Sequence, residues 1–298
     1  MSIKGYIYAI ISGVFFGIIP IIILFASSTG GISSSFFIMM RMIVASVMLI
    51  QAAITRLQKA PVSAKFFKKM LVASALMSFT SILLYLSYDF IPTGIGITLH
   101  YTYPLIIMTV SAVFFKMKFN RSTIFAMAIS LIGVVLLCDH SVLDSKAPIG
   151  LALALCSSFS FSCYLLWSER NYLGKADPII FTVTLTAFNS VFLLIYNLII
   201  GIQKFELTFY ISIILLMTGI VAFLAVFTQI MAIAHVGSVN TSILGTLEPI
   251  ICTIGSALVL HERITVRTII GSVLVLIAVI IVTLKTPLPD SSNKIRKA

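Results

Sequence analysis

The sequence predicts an all-α integral membrane protein with ten transmembrane helices, arranged as two inverted five-helix repeats. Three observations support this prediction. The chain of 298 residues is 60% hydrophobic and only 10% charged, with a mean hydropathy of +1.15, a composition that excludes a soluble globular domain. Apolar runs long enough to cross a bilayer recur along its whole length. The two halves of the chain also repeat each other at a constant offset.

Ten apolar stretches, separated by short polar or Pro- and Gly-containing breaks, are the predicted spans. They cover approximately residues 5–26, 33–54, 68–89, 93–115, 122–138, 148–168, 178–200, 207–233, 238–260 and 266–284. The first stretch is interpreted as a true span and not as a cleavable signal peptide. It is as long as a full span and leads directly into the second one.

The distribution of Lys and Arg predicts the orientation in the membrane. With the N-terminus in the cytoplasm, fifteen basic residues fall on the cytoplasmic side and four on the outer side. This bias follows the positive-inside rule and places both termini in the cytoplasm. We therefore expect a multi-pass protein of the bacterial cytoplasmic (inner) membrane. Topology and anionic lipid explain the net charge of +11, so no nucleic-acid partner is expected.

A shift of 145 residues superimposes the two halves without a net gap. Pro104 then coincides with Pro249, and both prolines are expected to break their helices. Other coinciding pairs are Gly5 with Gly150, Ser12 with Ser157, Ser111-Ala112 with Ser256-Ala257, and Val134 with Val279. We predict repeats at 1–145 and 146–287 and a cytoplasmic tail at 288–298. Because five spans is an odd number, the second repeat is inverted relative to the first.

Two charged residues lie deep within predicted spans. Glu248 is near the middle of the ninth span, where a carboxylate either binds a cation or a proton or stabilises the packing of a kinked helix. Arg41 lies about eight residues into the second span, about 12 Å from its outer end. It could contact a substrate carboxylate or phosphate, or form an ion pair with Glu248 or Asp89.

Aromatic and amide side chains complete the set of candidate substrate-binding residues. His100, Tyr101 and Tyr103 precede Pro104 and either line a polar aromatic cavity or simply pack. For Tyr85 and Trp167, near span ends, the alternative to cavity contact is an interfacial belt. For the amides of Gln229 and Asn240, as for Asn189, the alternative is a hydrogen bond between helices.

The sequence carries no motif for chemistry. It contains no Gly-x-Ser-x-Gly elbow and no phosphate-binding glycine-rich loop, and His261-Glu262-Arg263-Ile264-Thr265 is not a His-Glu-x-x-His zinc motif. We therefore expect no metal and no cofactor. An intramembrane enzyme is the disfavoured alternative from a different functional class.

The most distinctive motif is Leu247-Glu248-Pro249, followed by Ser256-Ala257, Glu262 and Gly271. This pattern resembles the EamA-type transporters of the drug/metabolite transporter superfamily, and the resemblance covers nearly the whole chain. In the first half, Met117 stands where the family usually has the terminal acid. The resemblance implies a transporter in which spans one to four and six to nine surround a central cavity.

These observations together predict a secondary transporter of a small polar metabolite that works by alternating access without nucleotide. An amino acid or amino-acid derivative is the leading hypothesis for its substrate, with an organic cation or an adenosyl-sulfonium or nucleotide-type metabolite as the alternative. The sequence leaves open the direction of transport, proton coupling, and whether the protein is a monomer or a homodimer.

Overall fold

The computed structural model describes residues 3–30, 34–59, 62–91, 93–117, 119–137, 147–172, 177–201, 208–259 and 266–285. Across these ranges the chain is helical and contains no strand, which confirms the all-α class. The helices are α1 (Ile3–Gly30), α2 (Ser34–Met48), α3 (Ile50–Lys59), α4 (Ala64–Ser87), α5 (Thr93–His100), α6 (Tyr103–Phe115), α7 (Arg121–Leu137), α8 (Ala147–Tyr172), α9 (Pro178–Ile200), α10 (Phe209–Gly245), α11 (Leu247–Val259) and α12 (Val266–Lys285).

Five of these helices are long and apolar enough to cross a membrane by themselves. They are Ile3–Ile23, Ala64–Ser87, Ala147–Asn171, Pro178–Ile200 and Phe209–Ile251. A sixth span forms if α2 and α3, which meet at an angle of 47°, cross together. The remaining apolar helices in the described residues are shorter, and breaks at residues 101–102 and at Thr246 divide two runs that the sequence predicts as continuous. The count of ten spans is therefore still a prediction.

Two breaks divide the helices that form the interior. Within α10, Gly237 has a φ of 82° and a ψ of 167°, a conformation that glycine adopts easily because it lacks a Cβ. The helix therefore changes course at the boundary that the sequence predicts between the eighth and ninth spans. In the first half, α5 ends at His100 and α6 begins at Tyr103, with Pro104 in its first turn.

Helix packing follows the same pattern when the two halves are exchanged. Helix α1 packs on α10 and α11, and its counterpart α8 packs on α4, α5 and α6. Helix α2 packs on α10, and its counterpart α9 packs on α4. The pairs α2–α9 and α7–α12 each join a helix to its own counterpart. Each of these contacts therefore has an equivalent when the halves are exchanged, as two copies of one packing unit would produce.

Two glycines show the correspondence at the level of single residues. A Cβ added to Gly5 would lie 2.5 Å from the Cβ of His235, beside Val236. A Cβ added to Gly150 would lie 2.8 Å from Ile91, beside Phe90. The partners of the two glycines are themselves 145 positions apart. The offset read from the sequence therefore relates contacts as well as residue types.

Candidate functional site

Two opposite charges from different halves lie in the same interior, where Arg41 is buried and Glu248 is half-buried beside a cavity. Arg41 on α2 is only 7% exposed, and its guanidinium interacts electrostatically with Glu248 on α11 and with Tyr85 on α4. The two groups form no direct salt bridge in the part of the chain that the structure describes. Nε and Nη1 of Arg41 have no hydrogen-bond partner there. A buried cation with unused donors is costly unless a ligand or a second state satisfies it.

Glu248 is held from the first half of the chain. The hydroxyl of Tyr101 donates a hydrogen bond to its carboxylate, and Tyr103 lies close enough to interact with its charge. Glu248 occupies the first turn of α11, directly after the break at Thr246. A negative charge is favourable in the first turn of a helix because of the helix dipole. The break thus positions an acid where a helix terminus stabilises its negative charge.

The aromatic residues before Pro104 form one cluster. The His100 ring lies 5.9 Å from that of Tyr101, 5.6 Å from Tyr103 and 5.4 Å from Phe161. His100 Nδ1 is hydrogen-bonded to the Ser157 hydroxyl at 3.0 Å. Tyr103 donates a longer hydrogen bond, 3.3 Å, to the carbonyl of Ser242. His100 is therefore both packed and hydrogen-bonded, whereas Tyr101 and Tyr103 extend the cluster towards Glu248.

A small cavity of about 20 Å³ lies beside Glu248, between α1, α6, α8, α10 and α11. This central cavity is lined by Ala9, Ser12, Gly13, Phe16, Tyr103, Phe161, Leu165, Gln229, Thr241, Ser242, Gly245 and Glu248. Three of the residues proposed from the sequence, Tyr103, Gln229 and Glu248, meet here. The volume holds about one water molecule, so this conformation encloses no metabolite beside the carboxylate.

A larger cavity of about 290 Å³ lies between the C-terminal ends of α4 and α9 and the nearby turn of α2. This outer cavity is lined by Ile38, Ser81, Ile82, Tyr85, Leu86, Tyr88, Asp89, Leu193, Tyr196 and Ile200. Ile38 lies one turn before Arg41 on α2, and Tyr85 interacts with that arginine. The predicted topology places this end of α4 and α9 at the outer face.

Five of the proposed binding residues line neither cavity: Arg41, His100 and Tyr101, described above, and Trp167 and Asn240. Trp167 donates a hydrogen bond from Nε1 to the carbonyl of Lys69, at 3.1 Å, and so joins α8 to α4. Asn240 donates from Nδ2 to the carbonyl of Val236 in its own helix, at 3.0 Å. Neither lines the central or the outer cavity. Hydropathy indicates the depth of each residue in the membrane but not the neighbour that it meets.

Tyr196 is a cavity residue that sequence reasoning missed. It lies near the end of α9 and faces the outer cavity together with Tyr85 and Tyr88. A signal was present, because the predicted topology brings the end of the seventh span to the same depth as the end of the third. Ser12, Thr241 and Ser242 were also missed, since small hydroxyl residues occur throughout such helices.

The described residues contain no group of three or more His, Cys, Asp or Glu side chains arranged to hold a metal ion. What the site offers instead is one cation, one anion, tyrosine hydroxyls and an amide, distributed over both halves. These groups can bind a polar organic molecule by hydrogen bonds and charge.

The fold and the site together define a polytopic helical membrane protein with a polar interior built from two related halves. The sequence profile of the EamA-like transporter family matches residues 3–138 and again 148–284. The chain therefore belongs to the EamA-like transporter family, and the resemblance seen in the sequence is confirmed.

A solved structure, described only as "Crystal structure of protein", has the same fold, with a TM-score of 0.80 and 13% sequence identity. The alignment covers 94% of this chain and 97% of that one. A comparison with curated proteins found no match. Membership of the family identifies a membrane transporter, whereas the substrate has to be argued from the site.

Proposed function

We propose that the protein is a secondary transporter that moves an amino acid or amino-acid derivative across the bacterial cytoplasmic membrane by alternating access. One observation carries the choice of substrate: the buried Arg41 and the half-buried Glu248, of opposite charge and from different halves, interact electrostatically without a direct ion pair. A zwitterion carries the two complementary charges. Its carboxylate would bind Arg41, and its ammonium group would bind Glu248 and the nearby tyrosine hydroxyls.

The proposed arrangement in the membrane is the predicted one, with ten spans and two inverted repeats. Helices α5 and α6 together extend over residues 93–115, a length that suits a single span broken near its middle. The change of course at Gly237 divides α10 into an eighth span and the start of a ninth, which α11 completes. The packing pattern, which is preserved when the halves are exchanged, supports two related bundles that can rock against each other.

Three contacts between the two halves lie at the end that the topology places in the cytoplasm. Arg56 on α3 forms a salt bridge with Asp177, which precedes α9. Trp167 is hydrogen-bonded to the backbone of Lys69, and the Arg170 guanidinium lies 3.1 Å from the centre of the Phe115 ring. With the outer cavity at the opposite end, these three contacts support an outward-facing, inwardly closed state.

Counterflow in proteoliposomes tests the proposal. Vesicles that contain purified protein and a high internal concentration of an unlabelled amino-acid mixture should accumulate a labelled amino acid transiently. Arg41→Ala and Glu248→Gln should each abolish this uptake while the variants remain monodisperse. Arg121→Gln, which removes an exposed charge at the start of α7, is the matched control and should retain it. Uptake that is unchanged in both interior variants would refute the proposed site.

A further inference from the structure

The outer cavity has a composition that the proposed zwitterion site does not explain. Tyrosines from two helices, Tyr85 and Tyr88 of α4 and Tyr196 of α9, line it together with Asp89. The rings of Tyr85 and Tyr88 meet edge to face, with centroids 5.4 Å apart. Aliphatic side chains of α2, α4 and α9 complete the wall. The described residues that line this cavity are therefore mostly aromatic and aliphatic, with one acidic side chain among them.

Charge in the outer cavity is negative at its rim. Among the described residues that line it, Asp89 is the only one with a formal charge, and its carboxylate lies close enough to Tyr196 to interact electrostatically. Within the ranges that the structure describes, no Lys or Arg forms a salt bridge with Asp89. Arg41 interacts with Tyr85 from the interior but does not line the cavity. A cation that approached from outside would therefore meet an acid and tyrosine rings first.

The size of the outer cavity suits a small organic ion. Its volume of about 290 Å³ lies just below the roughly 300–1,000 Å³ range of sites for drug-sized ligands. One carboxylate and a few hydroxyls provide too few oxygen ligands for a tightly bound calcium ion, which takes about six to eight. Tyrosine rings and aliphatic side chains suit alkylammonium groups, because ring faces attract the charge and the methyl groups pack against carbon.

We propose that the outer cavity is a distinct binding site for an organic ammonium group, formed by the rings of Tyr88 and Tyr196 and the carboxylate of Asp89. Tyr85 closes the inner side of this site and connects it to Arg41. The site receives the cationic end of a ligand before the ligand reaches the interior. Its occupancy needs no transport and no ionic contact with Glu248.

Equilibrium binding to purified full-length protein tests this site, with choline as the probe. Its neutral isostere, in which a carbon atom replaces the ammonium nitrogen, is the comparison ligand. Wild-type protein should bind choline at least about tenfold more tightly than the isostere, because only choline carries charge. Equal affinities, or no binding of choline at millimolar concentration, would overturn the proposal.

Variants separate the contribution of the ring from that of the acid. Tyr196→Leu and Asp89→Asn should each weaken choline binding about five- to tenfold, whereas Tyr196→Phe, which keeps the ring, should remain within about twofold of wild type. Asp290→Asn, an acid near the C-terminus, is the control for loss of a charge. Unchanged affinity in Tyr196→Leu and Asp89→Asn would refute the site, even if both variants fold normally.

The result of the choline-binding test does not depend on whether the protein transports amino acids. Choline binding with the expected variant pattern, but without amino-acid counterflow, would leave this site intact and remove the zwitterion proposal. Amino-acid counterflow without charge-selective choline binding would support the zwitterion proposal and remove the outer ammonium site.

Discussion

At the scale of single residues, the environment of Glu248 differs on its two sides. Tyr101 gives it a hydrogen bond from the first half of the chain, whereas Arg41 stabilises it only through space. Hydrogen bonds to charged groups contribute about 1.5–3 kcal/mol, roughly twice as much as neutral ones. The carboxylate is therefore oriented by a tyrosine and remains available to a ligand ammonium group.

Removal of the Tyr101 hydroxyl should impair transport more than removal of the Tyr103 hydroxyl. Tyr101→Phe should raise the KM for amino-acid counterflow about tenfold, because Glu248 loses the donor that orients it. Tyr103→Phe is the matched variant and should change KM less than about threefold, since its hydroxyl makes only a 3.3 Å bond to a neutral carbonyl. The reverse order of effects would contradict the proposed role of Tyr101.

Asp177 combines two roles that substitution can separate. Its Oδ1 accepts a hydrogen bond from the Ile179 N–H at 2.8 Å and so caps α9, while Oδ2 pairs with Arg56. Asp177→Ala should lower stability by about 1–2 kcal/mol, measured as a fall in Tm, because the cap is lost. Asp177→Asn keeps a good cap and should cost less than about 1 kcal/mol, since the lost salt bridge is partly exposed. Equal losses in the two variants would show that the cap contributes nothing.

At the scale of elements, glycines permit the close approach of equivalent helices. Gly5→Ala and Gly150→Ala should each reduce stability by about 1–3 kcal/mol, because each added methyl group overlaps side chains of the helix or turn opposite. Gly13→Ala is the control, since a Cβ there would have ordinary contacts of 3.4 Å. Thermal unfolding in one detergent measures all three. A loss confined to one member of the Gly5–Gly150 pair would contradict the equivalence of the two packing units.

The relation between elements was easier to predict from the sequence than their lengths. The offset of 145 residues, seen in residue types, reappears in the contacts of Gly5 and Gly150. Periodicity of composition survives local distortion, whereas hydropathy does not reveal the break at Thr246, which separates α10 from α11 inside the predicted ninth span. Apolar runs therefore identify where a span lies but not where it breaks.

The sequence anticipated the proximity of the two interior charges better than the surroundings of the aromatic residues. An acid and an arginine in hydrocarbon have few stable environments, so the sequence could anticipate that Arg41 and Glu248 interact. Tyrosine and tryptophan are stable both in interfacial belts and in cavities. Tyr196 was thus overlooked, while Trp167, for which the sequence left both an interfacial belt and cavity contact open, forms a hydrogen bond to the backbone of Lys69.

At the scale of the whole molecule, the two ends of the structure differ. A cavity of about 290 Å³ occupies one end, and contacts between the halves close the other. Between them, Arg41 and Glu248 flank an interior with space for little more than water beside the carboxylate. With the proposed topology, this arrangement corresponds to a transporter whose outer side is accessible and whose cytoplasmic side is closed.

The cytoplasmic contacts should hold this state in place. Arg56→Gln combined with Arg170→Gln should increase inward access, because a salt bridge and a cation–π contact are both removed. Reactivity of a cysteine at Ser168, a buried residue of α8, should rise severalfold towards a thiol reagent supplied from the cytoplasmic side. Arg121→Gln should leave this reactivity unchanged. An equal rise in thiol reactivity in Arg121→Gln would indicate general destabilisation of the helix packing, and would contradict a specific role for the two contacts.

The most direct test of alternating access follows two cysteines during transport. In protein freed of its native cysteines, Ser81→Cys reports on the outer cavity and Ser168→Cys on the cytoplasmic end. Without substrate, the first should react with a thiol reagent and the second should be protected. Saturation with the amino acid that supports counterflow should lower reactivity at the first and raise it at the second. Counterflow with both reactivities unchanged, or with both raised together, would contradict alternating access between the two halves.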